Sequence, residues 1–175
     1  MKYENKHYID ACENIGAKMM VMGECGHAYR VMKFMASEGR WWGELPFEIT
    51  SGFEYTAQLI REGKLKLDPS KNPEPVTYHD SCQFAAGCGI VNEPREILKA
   101  VCADYREMPD GGYTQWCCGG GGGLSALRSV REFRMHISGK KKAEQMRETD
   151  AEIMSTSCLQ CRTQLKEIAR YHKIP

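Results

Sequence analysis

The chain has 175 residues, 42% of them hydrophobic and 27% charged, which is enough apolar material for one ordinary folded domain with a real core and argues against a disordered chain. Lys and Arg total 24 against 23 Asp and Glu, a formal charge of +1, so no global field draws the protein toward nucleic acid. No apolar run approaches the roughly 18–20 residues of a membrane span, and the opening MKYENKHYIDAC lacks an apolar signal segment, which makes a cytoplasmic location the expectation.

Residues 3–15 read as polar and weakly helical, and KMMVMG at 18–23 as a short buried strand followed by a turn. Cys25 stands just past that strand. Residues 27–36 carry Val31, Met32, Phe34 and Met35 at helical spacing, and GRWWGELPF then breaks the pattern. FEIT at 47–50 predicts a strand or an extended entry to a helix at 52–62. GKLKLDPSKNPEP, with three prolines, is the clearest linker. Beyond it VTYHD at 76–80 predicts a strand ending at Ser81 and Cys82, and NEPREILKAVC a helix with Pro94 near its start. YREM is too short to assign. Residues 124–135 predict a helix, 140–147 a second short one, EIMSTS a strand and 159–171 a closing amphipathic helix.

The recurring order of strand, cysteine and helix predicts an α/β fold: a mostly parallel sheet with flanking helices and cysteine-bearing loops at the strand carboxyl ends, where ligands bind in such sheets. Cys25, Cys82 and Cys158 fall at those positions. VMGECGHAYRVM and MSTSCLQCRTQL share an apolar strand, polar residues, a cysteine and a helix. Residues 1–67 are therefore expected to be a partial preceding α/β repeat, 68–75 a linker and 76–175 the cysteine-bearing domain, with the two parts packed as one unit. The chain is expected to be a carboxyl-terminal piece of a longer protein.

Nine cysteines are many for an intracellular protein with no use for thiols. Five form a pattern: Cys82, then 34 residues, Cys117 and Cys118, then 39 residues, Cys158 and Cys161. Alone, the Cys158-Leu-Gln-Cys161 pair suits a dithiol redox site, half a zinc site or two buried thiols. The run Gly119 to Gly123 after the adjacent pair changes the balance, because five glycines carry an entropy cost that metal coordination can offset. Structural zinc prefers four ligands in a tetrahedron, so five thiols with an adjacent pair fit it less naturally than iron and sulfide. Amides at helix starts after Cys82 and Cys158, and in the glycine run, would favour an anionic centre.

The segments YHDSCQFAAGCG, NEPREILKAV, WCCGGGG and STSCLQC resemble the cysteine-rich CCG domain of heterodisulfide reductase catalytic subunits over residues 76–165. The resemblance implies a noncubane iron–sulfur cluster with Cys82, Cys117, Cys118, Cys158 and Cys161 as ligands, and cleavage or formation of disulfide-type bonds in two one-electron steps. MGECGHAYR and FEITSGFEYTAQLIREGKL further resemble the DsrK-type catalytic iron–sulfur subunit of the membrane-associated complex of dissimilatory sulfur metabolism. That likeness implies reduction of a disulfide or trisulfide on a small sulfur-carrier protein or a thiol substrate. It also implies membrane-complex subunits as partners and a peripheral place at the inner face of the membrane. Leu159 stands where CCG proteins often have proline, a departure that alters the helix entry without removing a thiol. No Cys-x-x-Cys-x-x-Cys-x-x-x-Cys-Pro run is present, so electrons are expected from an iron–sulfur donor domain or subunit elsewhere. The alternatives are an electron-transfer subunit of a glycolate or lactate oxidase and a structural metal-binding interaction domain.

Other residues carry two readings each. Cys25 and His27 could act on substrate, His27 as a proton donor to a leaving sulfur because imidazole titrates near pH 6.5, or could be packed structural groups. His79 and Asp80 could orient the Cys82 loop or cap a strand. Cys12, Cys88 and Cys102 lack the five-site pattern and read as buried or incidental thiols, Cys88 in a mobile-looking AAGCG segment. Trp41 and Trp42 read as core closure, and the ten methionines as adaptable packing. Residues 128–148 hold seven basic residues against three acidic, which reads as a solvated helix surface or as a guide for an acidic partner.

Overall fold

The computed structural model describes residues 2–36 and 43–174, with side chains for 5–35 and 43–174. Trp41 and Trp42 lie outside the described residues. Helix α1 (Lys2–Asn14) precedes β1 (Met19–Met22), which pairs in parallel with β2 (Glu48–Ser51) from Met19 opposite Glu48 to Met22 opposite Ser51. Helix α2 (Gly26–Val31) lies between them and continues into a π-helical turn, Met32–Ala36. β2 passes directly into α3 (Gly52–Arg61) because Ser51 forms a reciprocal cap: its hydroxyl accepts from the Glu54 amide at 3.1 Å, and Glu54 accepts from the Ser51 amide at 2.9 Å. The Tyr29 hydroxyl donates to the same carboxylate at 2.5 Å, so α2 is tied to the start of α3. Burial pushes the Glu54 carboxyl up, but the hydrogen bonds from Tyr29 and Ser51 outweigh it and hold the group below its usual range.

The second sheet has β3 (Pro75–His79) at its centre, with β4 (Asp104–Arg106) on one side and β5 (Ile153–Thr156) on the other, all parallel. A strand flanked on both edges and covered on both faces is buried without alternation, and Val76 to His79 are buried in succession. Helices α4 (Ala85–Cys88) and α5 (Asn92–Val101) connect β3 to β4. Helices α6 (Arg131–His136) and α7 (Ser138–Thr149) precede β5, and α8 (Leu159–Tyr171) follows it. No described helix is long and apolar enough to cross a membrane.

The helix expected over 124–135 is a correction. The chain there makes two 3-10 turns, Leu124–Ala126 and Arg128–Val130, separated by an extended Leu127, and only α6 is helical. Gly123, at φ +82°, sets the backbone in the left-handed region, and Leu124 and Leu127 find no core to cover them, being 42% and 52% exposed. The AAGCG segment is ordered as the single turn α4, closed by a left-handed Gly89. YREM contributes the short strand β4, and α7 extends two residues past each end of 140–147.

Two hydrophobic cores hold the layers. The first gathers Ile9, Tyr29, Met32, Phe47, Ile49, Phe84 and Ile90, drawing on both sides of the 68–75 segment. Phe84 stacks on Tyr29 at 5.8 Å and meets Phe53 edge-on at 5.3 Å. Cys12 and Cys88 pack at its margin, and Cys102 is buried after α5. The second core joins Met108, Met135, Ala143, Met146, Leu165 and Ile168 with Cys118 and Cys161.

Candidate iron–sulfur site

The adjacent parallel ends of β3 and β5 bring two cysteine loops side by side. The Ser81 and Ser157 hydroxyls share a buried hydrogen bond of 2.7 Å, and the Thr156 hydroxyl donates to the His79 carbonyl at 3.0 Å. Cys82 and Cys158 follow these serines directly. Cys158 is the extended residue that opens α8, which places Cys161 one turn along the same helix. The Cys117–Cys118 segment arrives from beyond β4 and is fixed to the end of β3 by Asp80. This carboxylate, 2% exposed, accepts from Arg95 at 3.0 and 2.8 Å and from the Gly112 amide at 2.8 Å. Arg95 also donates to Glu107 at 2.9 and 2.6 Å.

The glycine run then lies directly on α8. A Cβ on Gly120 would sit 2.7 Å from Gln164 Cβ, and Gly119, at φ +78°, would meet Ser138 Oγ. The Gly119 and Gly120 amides donate to the Cys117 and Cys118 sulfurs at 3.3 and 3.5 Å. Gln164 is held in turn by the buried Arg134, which donates to its Oε1 and to Glu167 at 3.2 Å.

These elements enclose a cavity of about 200 Å³ lined by Cys82, Cys117, Cys118, Cys158 and Cys161, with Gly121 and Gly122 in the wall and Cys25 and His27 at its edge. Cys118 and Cys161 are buried and their sulfurs lie 3.2 Å apart, whereas Cys117 and Cys25 are exposed. His79 is 1% exposed; neither ring nitrogen makes a well-formed hydrogen bond among the described residues, and its interaction with Cys161 helps hold that thiol down. One of its nitrogens lies with the Cys118 and Cys161 sulfurs in a group whose members are all within 4.8 Å of one another. The sequence placed His79 in a loop-orienting or capping role, but its side chain faces the thiols.

The thiols perturb one another strongly. Donation to Cys117 keeps the proton on Cys82, and donation to Cys117 and Cys161 keeps it on Cys118, so both are pushed above the usual thiol range. The receiving sulfurs move the other way: Cys117 far down, held by Cys118 and Cys82, and Cys161 down to about 5, held first by Cys118. Burial pushes the Cys158 thiol up. Five sulfurs so close cannot all ionise against one another, yet metal binding requires thiolates. A multinuclear cationic iron core would resolve the conflict, its affinity for soft thiolates suits the sulfurs, and it would offer a partner to one of the two His79 nitrogens. This His/Cys donor set is therefore a non-standard site consistent with a noncubane iron–sulfur cluster.

Sequence reasoning missed Lys142. Residues 128–148 are not uniformly a solvated surface, because Arg134 and Lys142 are 3% and 1% exposed. Among the described residues the Lys142 ammonium reaches only Met108 Sδ, at 3.5 Å. Burial pushes it down to about 8, against the opposing pull of Cys118, Asp80, Cys117 and Cys161. The signal was present in the sequence: Gly139, Lys142, Ala143, Met146 and Thr149 follow helical spacing on the buried face of α7. Arg95, which organises Asp80, was also not singled out.

The profile of the cysteine-rich CCG domain matches residues 76–166. An Hdr-like menaquinol oxidoreductase iron–sulfur subunit from Archaeoglobus profundus is 30% identical over 98% of this chain and 37% of its own length. A dihydromethanophenazine:CoB–CoM heterodisulfide reductase subunit from Methanosarcina barkeri is 31% identical over 93% of this chain and 38% of its own. An EtfAB:quinone oxidoreductase from Syntrophomonas wolfei is 29% identical over 91% of this chain and 22% of its own. The chain thus spans little more than a third of the first two of these curated relatives.

Proposed function

The chain belongs to the family of cysteine-rich CCG domains, and from that premise we propose that it is the substrate-reducing iron–sulfur module of a disulfide or trisulfide oxidoreductase. More coarsely, it is an iron–sulfur-binding oxidoreductase module related to Hdr-like electron-transfer proteins. The observation that carries the proposal is the convergence of five cysteines on one cavity also lined by Cys25 and His27, with the buried His79 grouped with the Cys118 and Cys161 sulfurs.

Cys82, Cys117, Cys118, Cys158 and Cys161 would hold the cluster, which supplies single-electron transfer and an iron site for substrate sulfur when bound. The protein's own residues do the rest. Gly121 and Gly122 leave room for a thiol-bearing group at the mouth, and the Gly119 and Gly120 amides stabilise negative charge on the sulfurs. His27 delivers a proton to the departing sulfur, with Cys25 beside it. The balance is RS–SR′ plus two electrons and two protons giving RSH and R′SH, with electrons from an iron–sulfur donor domain or subunit. A small sulfur-carrier protein or a thiol would bring the substrate, in keeping with the DsrK-type resemblance. Subunits of a membrane complex would hold the module at the cytoplasmic face.

Electron paramagnetic resonance of the anaerobically purified chain, oxidised with and without a thiol substrate, tests this. A thiol-dependent cluster signal is expected. A cluster indifferent to thiols that instead turns over with a glycolate or lactate dehydrogenase would contradict the sulfur reading, and a redox-silent zinc site would leave only a structural role. His27→Ala is expected to keep its iron and lose about 100-fold in disulfide reduction, the scale of a lost general acid.

A further inference from the structure

A buried lysine normally carries its charge to water along its flexible stem. The partly exposed Lys141 does so, reaching Asp110 at the surface at 3.8 Å. Its neighbour Lys142 does not: at 1% exposed it is packed on the inner face of α7, and among the described residues its one polar contact is a neutral thioether sulfur, Met108 Sδ. The Asp80 carboxylate is already occupied by Arg95 and the Gly112 amide. Met108 packs in one core with Cys118 and Cys161, which sets the ammonium against the sulfurs of the site, and the Cys118, Cys117 and Cys161 sulfurs act on its charge. An ammonium buried with no anion at ion-pair distance among the described residues is strongly unfavourable, and five thiols that cannot all ionise without metal supply less negative charge to it than a cluster held by five thiolates would.

We propose that the Lys142 ammonium is the counter-charge to an anionic iron–sulfur centre held by the neighbouring cysteines, and that it raises the reduction potential of that centre. The inference rests on the iron–sulfur reading of the site. Lys142 is a positioning residue of charge: it coordinates nothing, and its field favours the more negative, reduced state. Two consequences have opposite signs. Without metal the ammonium is a burden on the fold; with the centre in place it contributes.

The full chain, K142M and K142R are compared with iron loaded and with iron removed by chelation. Iron-free K142M is expected to melt above iron-free wild type. Loaded K142M is expected to gain less stability from iron than wild type does, and to show a lower midpoint potential in a dye-mediated redox titration. K142R keeps the charge and is expected to stay near the wild-type potential. Iron-free K142M melting below wild type, or loaded K142M with an unchanged potential, would overturn the inference. A wild-type chain that takes up no iron under conditions that load other iron–sulfur proteins would overturn the cluster reading itself, and the inference with it.

Discussion

Asp80 shows how much of the site depends on one side chain outside the sulfur set. Its two oxygens accept from Arg95 and from the Gly112 amide, joining the end of β3 to the segment that delivers Cys117 and Cys118. Asp80→Asn is expected to cost about 3 kcal/mol in urea unfolding, because it breaks a buried ion pair and leaves Arg95 with Glu107 as its remaining carboxylate partner among the described residues. Cys118→Ser and Cys161→Ser are each expected to abolish retention of iron through gel filtration, whereas Cys102→Ser, remote from the five-cysteine pattern, retains it. Away from the site, Tyr29→Phe removes the 2.5 Å hydrogen bond to Glu54. The folded-state pKa of Glu54 is depressed, so its contribution to stability is full above its usual value of 4.5 and is lost as pH falls through the depressed value. In Tyr29→Phe the folded-state value moves back up, so the stability lost on acidification below 4.5 is smaller and its loss is complete at higher pH, which acid titrations of unfolding followed by circular dichroism would register. A pair of curves that coincide below pH 5 would contradict the assignment.

At the scale of elements, the strands and the closing helix were legible because their patterns are local. Apolar runs gave β1, β3 and β5, and α8 shows the 3.6-residue period over its whole length. The helix expected at 124–135 failed because period alone does not say whether an apolar face has a partner, and Leu124 and Leu127 have none. Lys142 was overlooked for the converse reason, since a cation on an apolar face reads as a surface residue until the neighbouring layer is seen. His79 and Asp80 share one strand end, but only the fold separates their tasks, one facing the thiols and the other anchoring Gly112. The glycine run was read through its entropy cost and its amides, without the element it packs on, which is α8 through Gln164. Gly120→Ala forces a Cβ into Gln164, so the run must lift from α8. The expected result is a folded chain whose iron is lost to chelator at least about 10-fold faster than from wild type. Equal rates would mean that the contact does not hold the site closed. Ser51→Ala should cost about 1 kcal/mol through the lost cap of α3, and it should leave iron binding intact.

For the whole molecule, two parallel sheets share the work unequally. The β1–β2 layer supplies Cys25 and His27 at the edge of the cavity, and the β4–β3–β5 layer supplies the five sulfurs. The first core draws on residues from both sides of the 68–75 segment, so the rim and the base of the cavity are held in a common frame. The second core contains Cys118 and Cys161 themselves. With these cysteines as the proposed ligands, metal binding and folding stability would be coupled, and loading is expected to raise the melting temperature of the chain. Long-range convergence of thiols separated by more than 30 residues could be inferred from their places at strand ends, but the distances and the buried charges around them required the fold. The most direct test is combined iron, acid-labile sulfide and zinc analysis with Mössbauer spectroscopy on the anaerobically purified chain. The account predicts several irons with labile sulfide in one magnetically coupled centre per chain; zinc alone, with no labile sulfide, would contradict it.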